Sequence, residues 1–332
     1  MIFVTGGTGL LGAQLLLDLT ASGQTVTALH RPTADFSFFD FLFKGQKMLK
    51  ENILWVSGDL NDVDSLNRLI ERDAEVYHCA GLVSFDSRDS EKLYLINIEG
   101  TANLVNCCLD KQVRKLVHVS SVGTLGRNGN ASLIINEDSH WQSSNEVSDY
   151  AISKYGAERE VWRGIAEGLN AVIINPSVII GAGRWDTGSS KMISQVWKGL
   201  RFYSGGVSGF VDVKDVSAIM IQLMNGEISG ERFIVSSENI AYKTFFEIAA
   251  TALHKKPPTV LAAPWMGGLA WRLEAFANLF FHHQPLITKY TAITAQRKYN
   301  YDASKIQQAL NYKFIPVAES IKRVCGEFIE SR

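Results

Sequence analysis

A short apolar run, Met1-Ile2-Phe3-Val4, leads without a break into Thr5-Gly6-Gly7-Thr8-Gly9-Leu10-Leu11-Gly12, and an apolar helical pattern continues through Leu19. A buried strand, a glycine-rich turn and a helix N-terminus in that order leave few folds open. The helix end presents unpaired backbone N–H groups and the positive pole of its dipole, and the glycines let an anion approach the main chain. Thr5, Gly6, Thr8, Gly9, Leu10, Leu11 and Gly12 are therefore the first candidate binding residues. A dinucleotide pyrophosphate is the ligand class that suits them.

The rest of the chain extends this unit. Strand-like runs at 2–5, 25–29, 53–57, 75–79, 115–120 and 171–175 alternate with helical patterns at about 10–22, 62–71, 88–110 and 149–168, and a further strand is expected at 232–235. Runs that are apolar throughout, rather than at every second residue, indicate strands covered on both faces and hence a parallel sheet. The fold class read from this is α/β, a doubly wound Rossmann sheet with a smaller, mostly helical C-terminal substrate lobe. Alternation lapses after Gly181, where Gly205–Gly209 and Pro257-Pro258 mark irregular connections. The expected division is a dinucleotide-binding domain over 1–180, to which 210–236 returns, and a substrate-binding lobe of 181–209 and 237–332.

Composition narrows the function classes. A net charge of −1 with no basic block argues against nucleic acid as a partner. Cys79, Cys107, Cys108 and Cys325 lack zinc-ligand spacing, and His282-His283 has no carboxylate or thiol at ligand distance, so no metal is assigned. Thiols without a disulfide framework, and a strand that leaves no room for a signal peptide, make a cytoplasmic protein the expectation. The one membrane candidate, 265–281, carries Arg272 and Glu274 near its middle, so no membrane span is expected. A helix over the substrate or core is preferred for it to attachment on a membrane surface.

Further motifs fall where a doubly wound sheet would use them. Arg31 stands at the end of the second strand with no acidic residue beside it. A carboxylate there would bind the ribose diol and repel a 2′-phosphate; an arginine does the reverse, so NADP(H) is favoured and NAD(H) remains the other option. Asp59 and Leu60 end the third strand, and Cys79-Ala80-Gly81 end the fourth with small residues that permit close approach. Tyr150 and Lys154 lie at i and i+4 on one helical face, where an ammonium favours the phenolate. Ser120-Ser121 ends the fifth strand, at the sheet edge where open parallel sheets bind ligands. A second Tyr-x-x-x-Lys, Tyr301 to Lys305, is set aside as a surface feature far beyond the sheet.

Taken in order, these segments resemble the extended short-chain dehydrogenase/reductases, the superfamily of NAD-dependent epimerases and dehydratases. The resemblance covers nearly the whole chain and is nearest to its dihydroflavonol-reductase and 3β-hydroxysteroid-dehydrogenase-like branch. It rests on Thr5-Gly6-x-x-Gly9-x-x-Gly12, Asp59, Cys79-Ala80-Gly81, Asn97-Ile-Glu-Gly-Thr101, Val119-Ser120-Ser121, Tyr150-x-x-x-Lys154, Asn175-Pro176-Ser177-x-x-x-Gly181 and Phe210-Val-Asp212. It implies that Tyr150 is the general acid/base, that Lys154 holds the nicotinamide ribose, that Ser121 orients the substrate oxygen and that Asn97 positions a water behind the lysine. Pro176 and Ser177 would line the nicotinamide end. A homodimer through the helices at 88–110 and 149–168 is a further implication. Asn175 stands where many members have arginine, and Cys79 replaces the usual asparagine or alanine.

The loop between Ser121 and Tyr150 is expected to wall the substrate site, with His140 and Trp141 as its conspicuous side chains; Phe85 and Trp185 are further candidates. Aromatic lining suits a hydrophobic or ring-shaped molecule. The reading is an NADP(H)-dependent oxidoreductase acting on a small-molecule carbonyl or alcohol. Its alternative is an NAD-dependent sugar-nucleotide epimerase or dehydratase, for which Asn175 and Arg184 are the residues to watch.

Overall fold

The computed structural model describes every residue except 127–133, 143, 145–146, 264, 269–270 and 273–287. Its main sheet has seven strands: β1 (Ile2–Thr5), β2 (Val26–His30), β3 (Ile53–Ser57), β4 (Glu75–His78), β5 (Lys115–Val119), β6 (Ala171–Pro176) and β7 (Glu231–Val235). Their spatial order is β3-β2-β1-β4-β5-β6-β7, and every pair is parallel. The chain starts near the centre, winds to one edge, then crosses back to build the other. That reversal opens a crevice at the C-terminal ends of β1 and β4.

Period-two geometry explains why the runs are apolar throughout. Val4, Val117 and Ile174 face one layer, which holds Leu15 and Leu16 of the helix Leu10–Ala21 and Ile219 and Met220 of the helix Val213–Asn225. Their immediate neighbours Phe3, Leu116 and Ile173 face the other, with Leu66, Leu104 and Val161 of the helices Val63–Leu69, Gly100–Asp110 and Asp149–Ala166. Each such side chain removed from water contributes roughly 1.5–3 kcal/mol.

One predicted helix is subdivided. The stretch expected as a single helix over 88–110 comprises a 3-10 turn Ser87–Asp89, an α-helical turn Ser90–Leu93, a π-helical segment Tyr94–Glu99 and the α-helix Gly100–Asp110. The wider turn seats Asn97 in the interior, where its side chain is 1% exposed.

Beyond β6 the chain adds a second sheet, in which Val207–Asp212 lies between Val178–Ile180 and Glu238–Ala241. A separate core of Phe210, Phe245, Ile321, Val324 and Phe328 forms beneath it, with the helices Tyr242–Ala252 and Val317–Glu330. Residues 231–235 rejoin the main sheet as β7, whereas 207–212 belong to the small one. Two short pairings tie remote segments together, Ile134-Ile135 with Asn300-Tyr301 and Phe202-Tyr203 with Val260-Leu261.

The second Tyr-x-x-x-Lys departs from expectation. Tyr301 is 6% exposed within its strand pairing, and Lys305 reaches Glu231 at 2.6 Å while lying over the Phe233 ring. It is a structural clasp on β7. Most of the 265–281 candidate, and His282-His283, lie outside the described residues. Among the described residues no helix is long and apolar enough to cross a membrane.

Candidate active site

The glycine turn is built for close approach. Gly6 has φ +76°, and a Cβ there would lie 2.6 Å from Ala80 N; a Cβ on Gly12 would lie 2.1 Å from Gly6 O. Gly9 N donates to Gly6 O at 3.0 Å, and Gly9 caps the helix without any side-chain hydrogen bond. The first N–H groups of that helix thus keep their valence for an anion. Leu10 packs against Gly181, and Leu11 is buried beneath the turn. This cradle fits a dinucleotide pyrophosphate.

Behind the cradle runs a strut that sequence reasoning missed. Thr5 Oγ1 is hydrogen-bonded to His78 Nδ1 at 2.8 Å, and His78 Nε2 to Thr101 Oγ1 at 2.9 Å. Ala80 N donates to Thr5 Oγ1 at 3.2 Å, which aligns Cys79-Ala80-Gly81 along the crevice. Burial holds the His78 imidazole neutral, with its pKa lowered to about 3. The one sequence signal was a histidine inside an otherwise buried strand.

At the tip of β2, Arg31 is exposed and forms no ion pair among the described residues. His30 Nδ1 bonds Arg31 O at 2.9 Å, and its ring stands edge-on to Phe36 and Trp55. Asp35, the nearest downstream acid, is engaged by Arg184 at 3.1 Å. Asp59 accepts from Asn61 N at 2.9 Å, an Asx turn that fixes the end of β3. Leu60 is buried against Gly100 rather than open to the crevice.

Tyr150 occupies the first turn of the helix Asp149–Ala166, whose N-cap Ser148 accepts from Ala151 N. Burial pushes its phenol above the ordinary tyrosine range, and a hydrogen bond with Ser121 works against that. Ser121 Oγ also accepts from Gly123 N at 3.0 Å, so the hydroxyl is fixed as well as capping. Phe85 meets the Tyr150 ring edge-on at 5.5 Å. Lys154 follows one turn later, 5% exposed, and donates to Val119 O at 2.7 Å. Burial lowers its pKa to about 8 against the opposing pull of Glu158 and Cys79. In this arrangement Lys154 is drawn to the end of β5, and the phenol titrates high, contrary to the expectation of a tyrosine made acidic by its lysine.

Asn97 uses its whole amide locally. Oδ1 accepts from Leu82 N at 2.7 Å, while Nδ2 donates to Leu82 O and to Ser153 Oγ. It clamps the segment after Gly81 onto the Tyr150 helix. Pro176 and Ser177 are buried at the end of β6, and Ser177 Oγ has no hydrogen-bond partner among the described residues. The thiol of Cys79 is pushed up to about 12 by burial and is inert.

A second missed feature is Glu158, 1% exposed. It accepts from Ser120 Oγ at 2.6 Å, Thr124 Oγ1 at 2.8 Å and Asn175 Nδ2 at 2.8 Å, and pairs with Arg232 at 3.0 Å. Its donors arrive from β5, the following turn, β6 and β7, and together they lock the Tyr150 helix to the sheet. Asn175 Nδ2 is consumed in this network, while its buried Oδ1 has no hydrogen-bond partner among the described residues.

Of the four substrate-lining candidates, the structure brings Phe85 to Tyr150. Trp141 instead stacks on Tyr155 at 4.4 Å, and Trp185 packs edge-on against Phe328 at 4.9 Å. His140 is exposed on the loop, its backbone against Gly126. Val83, two residues before Phe85, is a 60% exposed apolar side chain that sequence reasoning passed over.

The profile of the NAD dependent epimerase/dehydratase family matches residues 2–235. Sterol demethylase protein B of Methylococcus capsulatus is 30% identical, covering 84% of this chain and 82% of that one. A putative dihydroflavonol 4-reductase of Synechocystis is also 30% identical, over 93% of this chain and 88% of the relative. Among solved structures, the crystal structure of gox2253 superposes with a TM-score of 0.81 at 27% identity, covering 100% of this chain and 98% of that one.

Proposed function

From the premise that this chain belongs to the NAD dependent epimerase/dehydratase family, we propose that it reduces a hydrophobic ketone or aldehyde with NADPH, or runs the reverse oxidation. It is an NAD(P)-dependent oxidoreductase of the extended short-chain dehydrogenase/reductase type. The observation that carries the finer reading is the buried Tyr150 phenol, with Ser121 opposing the upward push on its pKa and Phe85 edge-on to its ring at 5.5 Å. The relatives named for a sterol and a dihydroflavonol support a ring-shaped substrate.

The chain's own residues would divide the work as follows. Gly6, Gly9 and Gly12 admit the pyrophosphate to the helix N-terminus, and Arg31 meets a 2′-phosphate with a bidentate donor. Ser121 holds the carbonyl oxygen. Tyr150, kept protonated by burial, donates its proton to that oxygen as negative charge develops there. Lys154 leaves Val119 O for the ribose hydroxyls, and its cation then stabilises the phenolate left behind. Val83 and Phe85 offer apolar area to the substrate and keep water from the reacting carbon. The bound dinucleotide supplies the hydride.

The sugar-nucleotide alternative asks for Asn175 and Arg184 at a second diphosphate. Against it, Asn175 is buried behind Ser121 and Arg184 is held by Asp35. The test is to release the nucleotide from purified protein, titrate NADPH and NADH, and then screen hydrophobic carbonyls with Tyr150→Phe as control. The proposal expects loosely held NADP(H) and turnover that falls about 100- to 10,000-fold in the variant. Stoichiometric, tightly held NAD, or a melting shift caused by UDP- or GDP-sugars, overturns it in favour of the epimerase reading.

A further inference from the structure

Two segments remote in sequence meet where Phe202-Tyr203 pairs in parallel with Val260-Leu261. The junction is firm: Thr259 N and Val260 N both donate to Arg201 O, and Ala262 N donates to Tyr203 O at 2.8 Å. It displays apolar side chains to solvent, with Phe202 46%, Val260 44% and Leu261 53% exposed, and Trp265 just beyond them 69%. One exposed apolar residue means little, but four on adjoining segments do.

The surrounding charge is one-sided. Residues 190–210 and 248–273 carry Lys191, Lys198, Arg201, Lys255, Lys256 and Arg272 and no aspartate or glutamate, in a chain whose net charge is −1. Lys198, Arg201, Lys255 and Lys256 are exposed. None of these four forms an ion pair among the described residues; Lys255 lies 4.0 Å over the Trp197 ring. Glu247, on the helix that leads into the second segment, is taken by Lys243 at 3.7 Å. Arg332 brings a further cation to Trp197, with Glu330 close to it in sequence.

We propose that this face docks on the surface of an anionic lipid bilayer. Entering tip-first, the ribbon would carry Phe202 and Val260 on one side and Leu261 on the other, with Trp265 beyond, into the boundary between headgroups and acyl chains, while Lys198, Arg201, Lys255 and Lys256 rest on lipid phosphates. An apolar tip whose two segments are flanked by exposed cations is complementary to a surface that is greasy below and negative above. A second copy of the chain on this face would set the same cations against one another, so charge selects against self-association. The proposal stands apart from the choice of substrate.

The test is co-sedimentation of the full chain with vesicles of phosphatidylcholine, alone or with about one-third phosphatidylglycerol. Binding to the anionic vesicles is expected to be about tenfold tighter or more, and to weaken as salt is raised. The triple change Lys198→Glu, Arg201→Glu, Lys256→Glu should reduce it to the phosphatidylcholine level. Phe202→Ser with Leu261→Ser should weaken it several-fold with the salt dependence kept. Unchanged melting and dinucleotide affinity certify the fold; if the triple variant misfolds, Lys198→Gln and Lys256→Gln should each give a partial loss. No binding, equal binding to both vesicles, or anionic binding that survives charge reversal overturns the proposal. So does a loss of self-association in these variants without any effect on vesicles.

Discussion

Lys154 is a residue at which the fold gives up stability to bury an ammonium, and the size of that loss can be worked out. Its pKa falls from 10.5 in the unfolded chain to about 8 in the folded one because the ammonium is buried. At about 1.4 kcal/mol per pKa unit, the folded state loses roughly 3 kcal/mol at pH 7. Replacing Lys154 with methionine removes that cost and the single hydrogen bond to Val119 O, worth about 1 kcal/mol. Lys154→Met should therefore stabilise the cofactor-free protein by about 2 kcal/mol at pH 7 while abolishing turnover. The pH dependence fixes the sign. Between about 8 and 10.5 the unfolded chain holds the proton more tightly than the folded one, so wild-type stability rises with pH across that window. The advantage of Lys154→Met is then full below pH 8 and gone by about 10.5. Urea unfolding of both proteins at pH 7, 9 and 10.5 measures it. A variant less stable than wild type at pH 7, or a difference that ignores pH, refutes the reasoning.

Three other outcomes follow from the geometry. Glu158→Gln strips Arg232 of its counter-charge inside the network and should cost about 3 kcal/mol, seen as a lower urea midpoint with an unchanged slope. Gly12→Ala drives a methyl group into Gly6 O and should lower dinucleotide affinity more than tenfold, measured by fluorescence titration. Arg31→Glu should weaken NADPH by about tenfold or more and leave NADH within about threefold; an equal loss for both would remove Arg31 from the 2′-phosphate site.

The sheet was legible because its code is local. Phe3-Val4, Leu116-Val117 and Ile173-Ile174 feed alternate residues to opposite layers, and a continuous apolar run is the only pattern that does this. The glycine turn was legible for the same reason, since Gly6, Gly9 and Gly12 act within one turn of chain. What failed to show was whatever depends on distant partners. No local pattern announces the ring partners of Trp141 and Trp185, which are Tyr155 and Phe328. Nothing near Glu158 in sequence announces donors at 120, 124, 175 and 232. The π-helical turn that seats Asn97 leaves no mark in hydrophobic periodicity, because Leu93 and Leu104 keep facing the core on either side of it.

The Glu158–Arg232 pair also sets an order of events during synthesis. The Tyr150 helix and the first six strands have all left the ribosome while Glu158 is still without its cation, which arrives only with β7. A nascent chain that has reached residue 226 therefore carries the first six strands and the neutral donors of Glu158, but not the guanidinium that pairs with it. Such a chain can collapse, but the Tyr150 helix is not yet tied to β7. The network closes only when the last strand of the main sheet pairs beside β6, so a fragment released before it lacks the charge partner of Glu158.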